Sequence, residues 1–204
     1  MAGKPGAGTS LPLFPLKTVL FPGGLLPLKV FEQRYVEMTK ACLADNLPFG
    51  VCLITQGDEV RRPQGEAAQF ADVGTMARIA DWDMPQLGIL HVTTRGEGRF
   101  RVLSHSVDPS GLVVGEVGPI EPEPAVALSG DYRNLVTLLE LIATRIGPQN
   151  FPGEHDYGDA SWVGYRLAEV LPLPLNIKQS MLEINDASVR LQVLQKFLKK
   201  QGVI

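Results

Sequence analysis

Apolar residues in the first part of the chain are interrupted by prolines and glycines more than by charges. The stretch Leu11–Tyr35 (LPLFPLKTVLFPGGLLPLKVFEQRY) is cut by Pro12, Pro15, Pro22 and Pro27 and by Gly23-Gly24. Proline removes a backbone donor and glycine admits positive φ, so no single long helix or central strand runs through it. The pattern predicts an extended lead-in, a strand over Lys17–Phe21, a Pro22-Gly23 turn and a second strand over Leu25–Val30. Phe31, Tyr35, Met38 and Cys42 then recur at helical spacing and mark one face of a helix ending near Asn46. Phe49–Thr55 reads as a short apolar strand. Gln56–Phe70 carries Gly57, Arg61, Arg62, Pro63 and Gly65 without periodicity and reads as a long exposed loop.

Alternation continues over Val73–Asp83, Leu87–Arg95, Arg99–His105 and Leu112–Val117, with a hairpin turn expected at Gly96-Glu97-Gly98. Short strands with glycine-rich turns argue for a small sandwich or barrel. The texture changes at Gly118–Pro124 (GPIEPEP), which can sustain neither a helix nor an internal ladder and marks a boundary. Beyond it the period is helical. Leu135, Leu138, Leu139, Ile142 and Ile146 form one stripe, stopped by Gly147-Pro148. A helix over Ser161–Leu171 ends at Pro172. Asn176–Gln179 has the pattern of a capping box opening a short third helix, and Asp186 is the expected N-cap of a last one over Ala187–Lys200. The expected organisation is a flexible tail over residues 1–10, a β-rich part over 11–120 and a helical part over 125–204, an α+β chain.

Composition narrows the function. The chain has 204 residues, 45% hydrophobic and 20% charged, with 19 basic against 22 acidic side chains and a formal charge of −3. That balance exerts no strong pull on nucleic acid or anionic lipid. No uninterrupted apolar stretch is long enough for a membrane span, and Met1–Ser10 does not read as a secretory signal, so a cytoplasmic protein with no membrane partner is expected. Cys42 and Cys52 sit in apolar surroundings and read as buried free thiols. His91, His105 and His155 are too scattered to complete a zinc site, so no metal is expected.

Several strings resemble one family. PLFPL (Pro12–Leu16), LFPG (Leu20–Gly23), LPL (Leu26–Leu28) and FEQRY (Phe31–Tyr35) are similar to the opening signature of the Lon protease N-terminal domain, with Gln33 standing where that pattern usually has proline. GTMARI (Gly74–Ile79), GEGRFRV (Gly96–Val102) and the run Pro172–Leu194 resemble later stations of the same family. The resemblance implies a twisted β pseudo-barrel related to PUA-like folds, with one or more helices, followed by an α-helical bundle. It also implies a substrate-recognition domain, here expected to be free-standing, without the family's ATPase and serine–lysine peptidase.

The chemistry accords with a non-enzyme. No G-x-x-x-x-G-K-[ST] string is present to cradle nucleotide phosphates, so no nucleotide and no cofactor are expected. Ser180 with Lys178 is a weak pair on a short helix, and Ser104 and His105 point to opposite faces of a strand. His155-Asp156, with Glu154 and Asp159, could form a weak metal site, but an ordinary surface turn fits better. Two binding readings remain. In the first, the protein binds unfolded or extended polypeptide segments, or a partner protein, without catalysis, in a crevice expected between its β and helical parts. Trp82 and Met84, at an expected hairpin tip, and Arg34 and Tyr35, at the start of the first helix, are its candidate contacts. The alternative is a PUA-like RNA binder using Arg95, Arg99 and Arg101. The acidic balance and the single basic stripe weigh against nucleic acid.

Overall fold

The computed structural model describes residues 8–59, 68–147, 151 and 155–204. Among them the chain is α+β, with six strands in one mixed sheet and five α-helices. The elements run β1 (Thr9–Leu16), β2 (Leu25–Val30), α1 (Gln33–Asp45), β3 (Phe49–Gln56), β4 (Gln69–Gln86), β5 (Ile89–Val107), β6 (Val113–Pro119), α2 (Arg133–Ile146), α3 (Ala160–Val170), α4 (Leu175–Glu183) and α5 (Ala187–Lys200). A single 3₁₀ turn, Gly130–Tyr132, precedes α2. Two compact units form: Met1–Pro22 with Leu26–Glu121, and Gly23–Leu25 with Pro122–Ile204.

In the first unit the strands lie in the order β2-β5-β4-β3-β1-β6, and β5 also pairs with β6, so five of them close into a ring. The strand expected at Lys17–Phe21 is not there. The proline-rich lead-in forms the strand instead, and this includes Thr9 and Ser10, which were expected in the tail. The pairing explains how it tolerates Pro12 and Pro15. β1 runs antiparallel to β6 over Thr9–Leu13 and parallel to β3 over Leu13–Leu16, so only Leu13 has a strand on both sides. Each proline sits in a half with one open edge, the kind of strand position at which proline is tolerated in sheets. Lys17–Phe21 follows outside the sheet with Leu20 and Phe21 buried, and the Leu20 carbonyl accepts a hydrogen bond from the Thr75 hydroxyl at 2.6 Å.

The turn expected at Gly96-Glu97-Gly98 is likewise absent. β5 is one continuous strand there, with a register shift opposite β4 between Thr75 and Ala77. Such a shift bends a strand without ending it. Gly96 meets the Phe21 carbonyl so closely that a Cβ would collide with it. The expected helix face is present: Tyr35, Met38 and Cys42 are buried, whereas Phe31 lies before the helix and is exposed. Asn46 closes α1 in the left-handed conformation, φ 52°. Cys42 and Cys52 are buried and free. Of the loop expected over Gln56–Phe70, residues 60–67 lie outside the described residues, and Gln69 and Phe70 already belong to β4.

In the second unit α3 packs on α2, α4 and α5 and buries nearly every side, from Val163 to Ala168. Asp159 and Asp186 cap α3 and α5 through their side chains. Asn176 is not a cap. α4 starts two residues earlier behind Pro174, whose carbonyl accepts from the Ile177 and Lys178 N–H groups while no side chain caps the helix.

A buried ion pair organises this unit. The Arg190 side chain is wholly buried and Glu123 nearly so. Both guanidinium NH₂ groups donate to the Glu123 carboxylate, one of them at 2.9 Å, while Nε donates to the Met181 carbonyl and Nη2 also to that of Ile184. The Tyr165 hydroxyl and Ser161 Oγ donate to the same carboxylate, and the guanidinium lies 3.9 Å from the Tyr165 ring centroid. Gly164 leaves room for this stack, since a Cβ there would stand 3.1 Å from Arg190 Cδ. Burial pushes the Glu123 carboxyl up, but the hydrogen bonds of Arg190 and Tyr165 and the arginine charge outweigh it and hold the pKa below the ordinary range.

Removing one partner of such a pair strands the other. Arg190→Ala is therefore expected to cost about 3–5 kcal/mol in chemical denaturation. The depressed Glu123 pKa adds stability that is complete above the unfolded carboxylate value of roughly 4.3 and disappears as pH falls through the folded value. Wild type and Glu123→Gln should accordingly differ most near neutrality and converge in acid, as read from denaturation midpoints across pH.

Candidate functional site

β4 pairs with β3 only as far as Ala77, opposite Phe49, and then continues beside β5 alone. Residues Ala80–Gly88 in this extension are all exposed. Asp81, Trp82 and Asp83 stand in register with Thr93, Val92 and His91, so the expected hairpin tip is really strand, and the reversal comes later, at Leu87-Gly88. Leu90 and Val92 from β5 are buried in the core, which fixes this end of the ribbon to the sheet. Trp82 remains 52% exposed and Met84 38%. The Met84 N–H is satisfied locally by the Asp83 carboxylate at 2.8 Å.

On the other side of β5, β2 alternates Leu26 and Leu28 toward the core with Pro27 and Lys29 toward solvent. Pro27 and Lys29 from β2 and Trp82 from β4 line a cleft of about 370 Å³ over His91 and Thr93. This is an apolar wall with mixed charge at its margin, Lys29 against Asp81 and Asp83. Chemically it offers contact area and, through Lys29, Asp81 and Asp83, ionic selectivity. Pro27 and Lys29 escaped the reading of candidate contacts, although the inward–outward period of Leu26–Lys29 is present in the sequence.

Arg34 and Tyr35 lie elsewhere and do different work. Tyr35 is 3% exposed, with its ring stacked on Phe14 at 3.8 Å between centroids. Burial pushes its phenol up to about 12. Arg34 bonds the Gly111 carbonyl at 2.8 Å and the Glu32 carboxylate at 2.9 Å, and sits 4.5 Å from the Tyr35 ring centroid. These two residues tie the start of α1 to the β unit and do not reach the Trp82 cleft.

The residues of the RNA reading divide as well. Arg95 and Arg101 are exposed, but Arg99 is only 4% exposed, so the three do not form one solvent-facing stripe. Phe100 is fully buried against Gly50 and Gly74. His155 packs among the rings of Phe151, Tyr157 and Trp162 at 5.1–5.9 Å, while Glu154 lies outside the described residues. Among the described residues no three His, Cys, Asp or Glu side chains converge as metal ligands, and no helix is long and apolar enough to cross a membrane.

Comparison with known proteins defines the class. The model of the ATP-dependent protease La (LON) substrate-binding domain matches residues 10–200, and the chain belongs to that family. The Lon protease of Brevibacillus choshinensis is 24% identical over 205 residues, which cover 98% of this chain and 26% of the relative. That of Dictyoglomus thermophilum is 28% identical over 198 residues, covering 94% and 24%. The chain thus spans about a quarter of the length of the Lon proteases it matches. Among solved structures, a Lon N-terminal domain protein from Xanthomonas campestris superimposes with a TM-score of 0.75 at 39% identity, over 92% of this chain and 98% of its own. The N-terminal domain of a Mycobacterium avium complex Lon protease shares the fold, with a TM-score of 0.61 at 18% identity.

The contrast between the two aromatic candidates is measurable. Tyr35→Ala should cost about 3–5 kcal/mol in chemical denaturation, as expected for a buried aromatic. Trp82→Ala, at a half-exposed position, should cost under about 1 kcal/mol in the same assay.

Proposed function

We propose that this chain is a non-catalytic polypeptide-binding module that captures extended or unfolded segments at the cleft between Pro27 and Trp82. The observation that carries the reading is a half-exposed tryptophan held on a two-stranded ribbon beside an exposed proline, in a chain of the LON substrate-binding family. Burying an aromatic against a partner gives contact area at low entropic cost, and tryptophan is enriched where such contacts dominate affinity. Lys29, Asp81 and Asp83 at the margin would set which charges a segment can carry beside its apolar residues. As a domain frame we assign a PUA-like pseudo-barrel over 11–120 and a helical bundle over 125–204. The closed ring of strands and the clustering of α2–α5 around α3 support that frame.

The immobilised chain should retain a reduced, carboxymethylated model protein and pass its folded counterpart. Trp82→Ala should weaken that retention about tenfold or more with the melting temperature nearly unchanged. Equal passage of folded and unfolded protein through the column would refute polypeptide capture. Calorimetric titration with ATP and magnesium should give no stoichiometric heat, because the sequence has no phosphate-cradling loop followed by lysine.

A further inference from the structure

The first unit has a further concavity beside the proline-bearing strand. Because β3 joins β1 only from Leu13 onward, Thr9–Pro12 have no strand on that side. The gap between this open edge and α1 is a groove of about 370 Å³. Its floor is apolar and buried: Leu11, Met38, Cys42 and Val117, with Met76 half-buried beside them. Two methionines give such a floor adaptable shape. At its mouth Leu47 is 56% exposed and Ala41 faces solvent.

Charge at the mouth is one-sided. Asp45 is the last residue of α1, no basic residue occupies that last turn, and no lysine or arginine lines the groove. A carboxylate at the negative end of a helix dipole is poorly compensated and favours an added cation. Arg78 reaches the Asn46 carbonyl next to it, but its own charge is matched by Glu97. Burial, and then the Asp45 charge, push the Cys42 thiol up, which keeps the floor neutral.

We propose that this groove is a second polypeptide subsite, one that seats an apolar side chain immediately next to a lysine or arginine. The proposal rests on the polypeptide-binding reading above and adds a sequence preference to it. The occupant is defined by the two halves of the site: an adaptable apolar floor for the side chain and Asp45 for the neighbouring cation.

The test uses two labelled Gly/Ser peptides of equal composition, one with Leu-Lys adjacent and one with the lysine moved to the far end. The adjacent pair should bind about fivefold tighter, the size of one surface ion pair. Asp45→Lys should abolish that preference, Ala41→Phe should block the groove and weaken the adjacent peptide, and the Met38 and Met76 methyl resonances should move on titration. Equal affinities, a preference untouched by Asp45→Lys, or unmoved methionine methyls would each overturn the groove assignment. If unfolded protein is still retained through Trp82 in that case, only the groove proposal falls. If unfolded protein is not retained at all, the polypeptide-binding reading falls and takes the proposal with it.

Discussion

A strand can hold proline only where no neighbour asks for its missing N–H, and in β1 that requirement arranges the whole β unit. Pro12 faces no β3 strand and Pro15 faces no β6 strand, so β1 hands over from one neighbour to the other at Leu13. The hand-over lets a single segment join two parts of the sheet that close into a ring through β5 and β6. It also leaves an unpaired edge over an apolar floor. Both the join in the ring and the groove thus lie along β1, on either side of its hand-over at Leu13.

The same logic explains where the sequence was readable. Elements whose side chains repeat at one period were legible: α1 from Tyr35, Met38 and Cys42, α2 from its leucine stripe, α5 from Asp186. What could not be read was pairing. Pro12 and Pro15 argue against a central strand until it is known that each half of β1 has only one neighbour. Gly96-Glu97-Gly98 reads as a turn because a bulge and a hairpin use the same residues, and only the partner strand distinguishes them. Asn176 reads as a cap because a side-chain pattern carries no information on whether Pro174 already starts the helix.

The site was half legible for a related reason. Trp82 and Met84 stand out as large apolar residues among aspartates, and both are exposed. Tyr35 belongs equally well to a helix stripe and to a surface edge by spacing alone, and its stacking on Phe14 comes from the extended lead-in, whose place in the sheet the spacing does not reveal. Arg99 and Arg101 have the same period and the same chemistry, yet one is buried and the other exposed. The register with β4 runs unbroken from Arg99 to Arg101, so alternation leaves both on one face, and what covers that face, not the period, separates them. Pro27 and Lys29 matter only because β2 lies beside β5, a tertiary fact.

The clasp on Arg190 has a consequence for where the helical unit begins. Glu123 lies within the GPIEPEP stretch that reads as a mere connector, yet its carboxylate is the counter-charge of an arginine sealed among helices. A fragment cut after that stretch would carry all of α2–α5 and still inherit a buried cation with nothing to answer it. The residues before Pro122 answer to the sheet, through β6 and the Ile120 N–H bond to the Arg99 carbonyl, whereas Glu123 answers to the helices. The break between the two units therefore falls inside the connector, at Glu121-Pro122.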